Sequence, residues 1–178
     1  MKPADVAMFW IKAGPKAWFK KSEAFDADIR ARFEALHFAA SRGELDDWAV
    51  TAEGALALLL LLDQFPRNLF RNSPHAFATD PLARKVAREA IDRGFDRQVD
   101  PELRQFFYLP FEHSEHLEDQ DKGVALCTAS GDADLVKWAG LHRDIIFRFG
   151  RFPHRNESLA RDTTEEERAF LNSGGFAG

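Results

Sequence analysis

The stretch Phe149-Gly150-Arg151-Phe152-Pro153-His154-Arg155-Asn156 sets two arginines, a histidine and an asparagine among two phenylalanines, a glycine and a proline. A guanidinium fork binds carboxylate or phosphate through paired hydrogen bonds. An imidazole exchanges a proton near neutral pH. A shorter echo lies upstream, where Leu62-Asp63-Gln64-Phe65-Pro66-Arg67-Asn68 again places Phe-Pro beside Arg-Asn. The two turns are expected to meet and line one polar pocket formed by Asp63, Gln64, Arg67, Asn68, His113, His142, Arg151, His154, Arg155 and Asn156.

Two polar groups stand where the apolar pattern calls for core. His142 falls mid-stripe on a helical pattern, and Asp63 closes the most apolar run of the chain. A carboxylate at the edge of a core loses hydration and needs donors. If the pocket is catalytic, His142 or His113 is the general base, Asp63 its orienter, and Arg151 or Arg155 the anion clamp. The alternative is a buried polar network that ties two turns to the bundle. The arginines Arg67, Arg71, Arg148, Arg151 and Arg155 flank both turns. They suit an anionic small molecule or a peptide carboxylate, or else they pair with Asp63, Glu112 and Asp144.

Glu112-His113-Ser114-Glu115-His116 is a further cluster. On a helix His113 and His116 would share a face with Glu112, a spacing able to hold a divalent metal. The histidines do not have the His-Glu-x-x-His spacing of zinc proteases. The cluster is taken as a solvated helix start, with no metal and no cofactor assigned. No phosphate-binding glycine loop and no Gly-x-Ser-x-Gly elbow occurs.

The balance of charges, 24 Lys and Arg against 29 Asp and Glu, gives a net −5 without a basic stripe, which argues against nucleic acid as a partner. The single cysteine, Cys127, excludes an internal disulfide and reads as a buried thiol in a helix. The run Ala55 to Leu62 is too short to span a bilayer, which needs about 20 residues. The N-terminus does not read as a signal peptide, so a cytoplasmic protein with no membrane partner is expected.

These groups require elements to hold them. A first helix around Phe9 to Ile11 ends at Gly14-Pro15, with Trp18 and Phe19 as an aromatic anchor after it. A second runs from Asp26 through Ile29, Phe33, Leu36 and Ala40 to a stop at Gly43. Thr51 caps a third helix, apolar on every side from Ala55 to Leu62 and therefore central; Pro66 is expected to stop it. Ser73-Pro74 and Asp80-Pro81 read as caps followed by proline, the latter opening a helix with Leu82, Val86, Ala90 and Ile91 inward. Asp100-Pro101 opens the next, which Pro110 is expected to break. From Asp132, Leu135, Trp138, Ala139, His142, Ile145, Ile146 and Phe149 form one face up to Gly150. Thr163 with Glu166 forms a capping box for the last helix. Sustained period-two alternation is absent, so the fold is all-α: one domain, residues 1–178, of antiparallel helical hairpins around the Thr51–Gln64 helix.

The two Phe-Pro strings, together with Ala76-Phe77-Ala78-Thr79-Asp80, Pro110 with His113-Ser114-Glu115, and His142, resemble the bacterial family catalogued as domain of unknown function 924. The resemblance runs from about Phe9 to Phe170. It implies a tetratricopeptide-like helical fold and no particular activity; His116 departs from the acidic residue usual there. The resulting expectation is a protein that takes a small anionic ligand in its polar pocket, as sensor, carrier or enzyme. The alternative is an interaction module whose hairpins present a groove to a peptide and whose Phe-Pro turns are structural.

Overall fold

The computed structural model describes residues 1–176, and every regular element among them is helical, with no strand. No helix of the described residues is long and apolar enough to cross a membrane. Backbone contacts divide the chain into two units, Met1–Arg71 with His75–Pro110, and Asn72–Pro74 with Phe111–Gly178.

In the first unit α1 (Pro3–Ala13) starts on proline, and Gly14, at φ 75°, ends it. A short α2 (Pro15–Trp18) follows. Trp10 is fully buried, stacked on Trp18 at 6.0 Å and on Phe25 at 5.9 Å, with Phe65 at 5.6 Å and Phe106 at 5.7 Å around it. Aromatic bulk thus knits elements far apart in sequence, each ring contact adding about 0.5–1.5 kcal/mol beyond its buried area. Helix α3 (Glu23–Ser41) starts a turn earlier than expected because the Ser22 hydroxyl accepts the Phe25 N–H at 3.3 Å. Its buried stripe is Ile29, Phe33, His37 and Ala40.

Helix α4 (Ala52–Leu59) is capped by Thr51, whose hydroxyl accepts the Gly54 N–H at 3.1 Å. From Gly54 onward it is buried on every side, as its composition predicts. Helices α1 and α6 pack on it, and α3 packs on its continuation. Gly54 is required by close approach, since a Cβ there would lie 1.9 Å from the carbonyl oxygen of Trp48 in the preceding 3-10 turn, Asp46–Val50.

Pro66 does not stop this helix. The chain passes through a π turn, Leu60–Gln64, straight into α5 (Phe65–Leu69), with the Phe65 N–H donating to Leu60 O five residues back. A proline removes a donor from the carbonyls before it. Here side chains supply donors to those carbonyls. His37 Nδ1 lies 2.8 Å from Leu61 O, the Thr79 hydroxyl donates to Leu62 O at 2.6 Å, and Arg67 Nη1 donates to Asp63 O at 2.5 Å.

Helix α6 (Asp80–Asp92) buries Ala83, Ala87 and Ala90, while Leu82 is exposed and Val86 half-buried, the reverse of the expected face for those two. The alanine face is the one buried where α6 packs on α4, and the larger residues are turned aside. Asp80 does not cap it; its carboxylate takes an arginine instead, and Thr79 occupies the cap position. Pro74 opens a 3-10 turn, Pro74–Phe77, rather than an α-helix. Helix α7 (Pro101–Glu112) begins at Asp100-Pro101 as expected but runs through Pro110 without breaking.

In the second unit α8 (Leu117–Ser130) and α9 (Ala133–Phe149) form a hairpin about Gly131 and Asp132. The Asp132 carboxylate accepts the Asp134 N–H at 2.9 Å and the Leu135 N–H at 3.2 Å, which fixes where α9 starts. Ala139, His142, Ile145 and Ile146 face inward, and Gly150 ends the helix; Trp138, expected on this face, is 47% exposed. Ile145, Ile146 and Phe152 make a core onto which Leu117, Phe149, Phe170 and Phe176 pack. Helix α10 (Glu165–Asn172) does have a capping box, one residue later than expected, between Thr164 and Glu167.

Candidate functional site

The expected site residues fall in both units, and the π turn sets the first group. Such turns widen a helix and recur at functional positions; this one ends in Asp63 and Gln64, both buried. The Gln64 side-chain amide donates to Asp63 Oδ2 at 2.6 Å. Arg67 Nη1 lies 3.4 Å from Asp63 Oδ1, and its fork grips both oxygens of Asp80 at 3.0 and 3.1 Å. Burial opposes the charge on Arg67, yet attraction from Asp80 and Asp63 outweighs it and raises its pKa above the ordinary value. Asn68 turns away from this group, donating to Asp26 Oδ1 at 2.8 Å beside Arg71, which takes the same carboxylate at 2.5 and 2.9 Å. Asp63, Gln64 and Arg67 therefore form one ionic corner with Asp80, and Asn68 belongs to another.

The second group surrounds Phe152, which is fully buried. The Arg155 guanidinium lies over its ring at 4.5 Å, and the rings of His154 and His142 approach it at 5.5 and 5.7 Å. His113 meets His142 at 6.4 Å, and Phe176 meets His142 at 4.8 Å and His154 at 5.3 Å. His142 Nδ1 stands 2.8 Å from the carbonyl of Trp138. A carbonyl only accepts, so the neutral ring carries its proton on Nδ1 and its lone pair on Nε2. Glu112 Oε2 lies 3.6 Å from the same Nδ1.

Glu112 is itself held by α8. Cys127 Sγ lies 3.5 Å from its other oxygen, the Gln120 side chain donates to its carbonyl at 2.6 Å, and a Cβ on Gly123 would lie 3.4 Å from its Cγ. Burial pushes the Cys127 thiol well above its ordinary pKa, and the neighbouring carboxylate adds to the rise. The inward face of α8, with its glutamine, glycine and cysteine, is thus shaped around one glutamate.

Arg151 and Asn156 point elsewhere. Arg151 donates to both oxygens of Glu167, at 2.6 and 2.8 Å, and to Asp162 O at 2.7 Å; the anion-clamp role foreseen for it is filled within the protein. Asn156 donates to Glu167 Oε2 at 3.1 Å and accompanies this pair. The Arg151 bonds hold the Glu167 carboxyl down at about 2 against burial, the next-largest effect, and the Thr164 N–H helps them. Glu115 plays a parallel part, accepting the Phe152 N–H at 2.8 Å and both arms of Arg161 at 2.8 and 3.0 Å. Burial would raise Glu115, and those bonds bring it below its ordinary value. Arg148 pairs with Glu166 rather than Asp144.

The helical metal arrangement at Glu112–His116 does not form. The chain leaves α7 after Glu112, and Ser114, whose hydroxyl donates to Asp119 at 2.7 Å, makes the turn into α8 between the two histidines. Among the described residues no group of His, Cys, Asp and Glu is placed to hold a metal ion. Glu167, Arg161 and Asp80 are the partners that spacing did not suggest. The signal in the sequence was only a surplus of arginines near the Phe-Pro strings, which demands carboxylates without saying which.

Fold and site together define an all-helical protein with buried ionic corners on proline-bearing turns. The chain belongs to the family described as bacterial protein of unknown function (DUF924), which matches residues 6–175. It is similar to a solved structure, that of the protein of unknown function ATU0120 from Agrobacterium tumefaciens, at 53% identity over 97% of each chain and a TM-score of 0.94. No match was found among curated proteins.

Proposed function

We propose that the second unit binds a small anionic molecule, a carboxylate or a phosphate, at the cluster around Phe152. The observation that carries this reading is the convergence of His142, His154 and Arg155 about one buried ring, with His113 beside His142, in a protein of net charge −5. A guanidinium and imidazoles gathered in one place offer donors to a carboxylate or a phosphate. His142, with its proton fixed on Nδ1 and Glu112 beside it, is the group suited to take a proton from a bound substrate through Nε2. The test is a thermal-shift series with inorganic phosphate, succinate and citrate on the intact chain. The melting temperature should rise with ligand concentration, and Arg155→Gln and His142→Gln should abolish the rise. Arg151→Gln should lower the starting temperature and leave the ligand-induced rise intact. A wild-type protein indifferent to all three anions would defeat the proposal.

A second reading, an interaction module, is favoured by Trp138 and Leu141, 47% and 37% exposed one turn apart on α9. Exposed large apolar residues in a cluster mark protein contacts. Trp138→Lys should then abolish copurification of a partner without altering the anion response; no partner lost on that substitution refutes this reading.

A further inference from the structure

The first unit contains a hollow of about 310 Å³ between the end of α3, the Asp46–Val50 turn, α4 and α6. That volume lies at the lower end of small-molecule sites, about 300–1,000 Å³. Leu58 and Leu62, both buried, and Leu82 and Val86 are among the residues that line it. The two α6 residues are those that the buried alanine face turned aside, and Leu82 is left 39% exposed. Apolar side chains opening into a concavity are hydrated at a cost that an apolar ligand removes.

Charges of both signs stand at its rim. Lys85 and Glu89 are one turn apart on α6, and Asp46 lies on the turn opposite. Arg42, the other cation there, is gripped by Glu44 at 2.6 and 3.0 Å and is committed. A fatty acid would answer Lys85 and leave two carboxylates facing its tail. An alkylamine would leave Lys85 unanswered. A polar amino acid would gain nothing from the apolar lining.

We propose that this hollow binds a free α-amino acid with an apolar side chain. The ammonium group lies toward Asp46 and Glu89, the carboxylate toward Lys85, and the side chain on Leu58 and Leu62. This goes beyond the anion site and shares no residue with it.

Amide NMR spectra of the full chain, titrated with L-leucine, test the proposal. Signals of residues 40–49 and 82–89 should move, while those of residues 142–156 should not. N-acetyl-leucine and leucinamide, each lacking one charge, should bind at least about tenfold more weakly than leucine. Lys85→Gln should weaken leucine about tenfold and leave leucinamide unchanged. Val86→Trp, which fills the hollow, should abolish the shifts. Should that variant not fold, the exposed Lys85→Gln decides alone. Absence of shifts at about 10 mM leucine, equal binding of the blocked forms, or an unaltered Lys85→Gln overturns the proposal.

Discussion

The Nδ1 nitrogen of His37 stands 2.8 Å from the carbonyl oxygen of Leu61 and supplies a donor that Pro66 lacks. The imidazole is buried, and burial lowers its pKa despite the favourable bond to Leu61. Its folded value therefore lies below the unfolded value of about 6.5, so the folded chain binds fewer protons beneath that pH. Its contribution is complete above about pH 6.5 and is lost as the pH falls below it. His37→Leu should cost about 1–3 kcal/mol at pH 8 by leaving a buried carbonyl unanswered. It should also flatten the decline of stability between about pH 6.5 and 5. Urea unfolding at a series of pH values measures both, and an unchanged slope would remove His37 from the account.

Gly54→Ala drives a Cβ to 1.9 Å from the Trp48 carbonyl, which backbone cannot relieve by a rotamer change. A loss of about 3 kcal/mol or more is expected, because overpacking against backbone has no cheap relaxation. Ala52→Gly, in the same helix, should cost only about 1 kcal/mol through propensity. Comparable losses in the two variants would show that the close approach is not what fixes Gly54.

Glu167 has a folded pKa of about 2, depressed first by the Arg151 bonds and then by the Thr164 N–H. A depressed carboxyl stabilises the fold above its unfolded value, about 4.3, and that help disappears as pH falls toward 2. Glu167→Gln should therefore destabilise the protein at pH 7 and make little difference near pH 2. Melting temperatures of both proteins across that interval give the answer; curves that run parallel would contradict the assignment.

Cys127 is fully buried, and its raised pKa keeps the thiol protonated. Since the thiolate is the nucleophile, iodoacetamide at pH 8 should leave the native protein unlabelled and label it once unfolded in urea. Native labelling at the rate of a free thiol would place Cys127 in a different setting from the one described.

Much of the fold was legible because its caps are local chemistry. Thr51, Asp132 and Gly150 each act within one turn of their own position, so residue type and spacing locate them. Prolines were misread for the opposite reason. Pro66 removes a donor locally, but His37 and Thr79, distant in sequence, restore it, and no window of sequence displays that repair. On α6 two apolar stripes compete at the same period, and only the packing of α4 decides for alanine over leucine. The tandem Thr163-Thr164 before consecutive glutamates left the capping register open by one residue. His142, His154 and Arg155 stood out by their types, and the folded chain gathers them around Phe152. The carboxylates that hold its loop, Glu115 for Arg161 and Glu167 for Arg151, come from other segments and are joined only by the folded chain.

The bend at Pro66 has an evolutionary corollary. Two carbonyls before it, those of Leu61 and Leu62, are answered from positions 37 and 79, both distant from 66 in sequence. A descendant that regained an amide at 66 could answer one of the two carbonyls and would release either the imidazole or the hydroxyl from selection. One of the two, histidine or threonine, should accordingly drift while the other is kept wherever that proline has been given up.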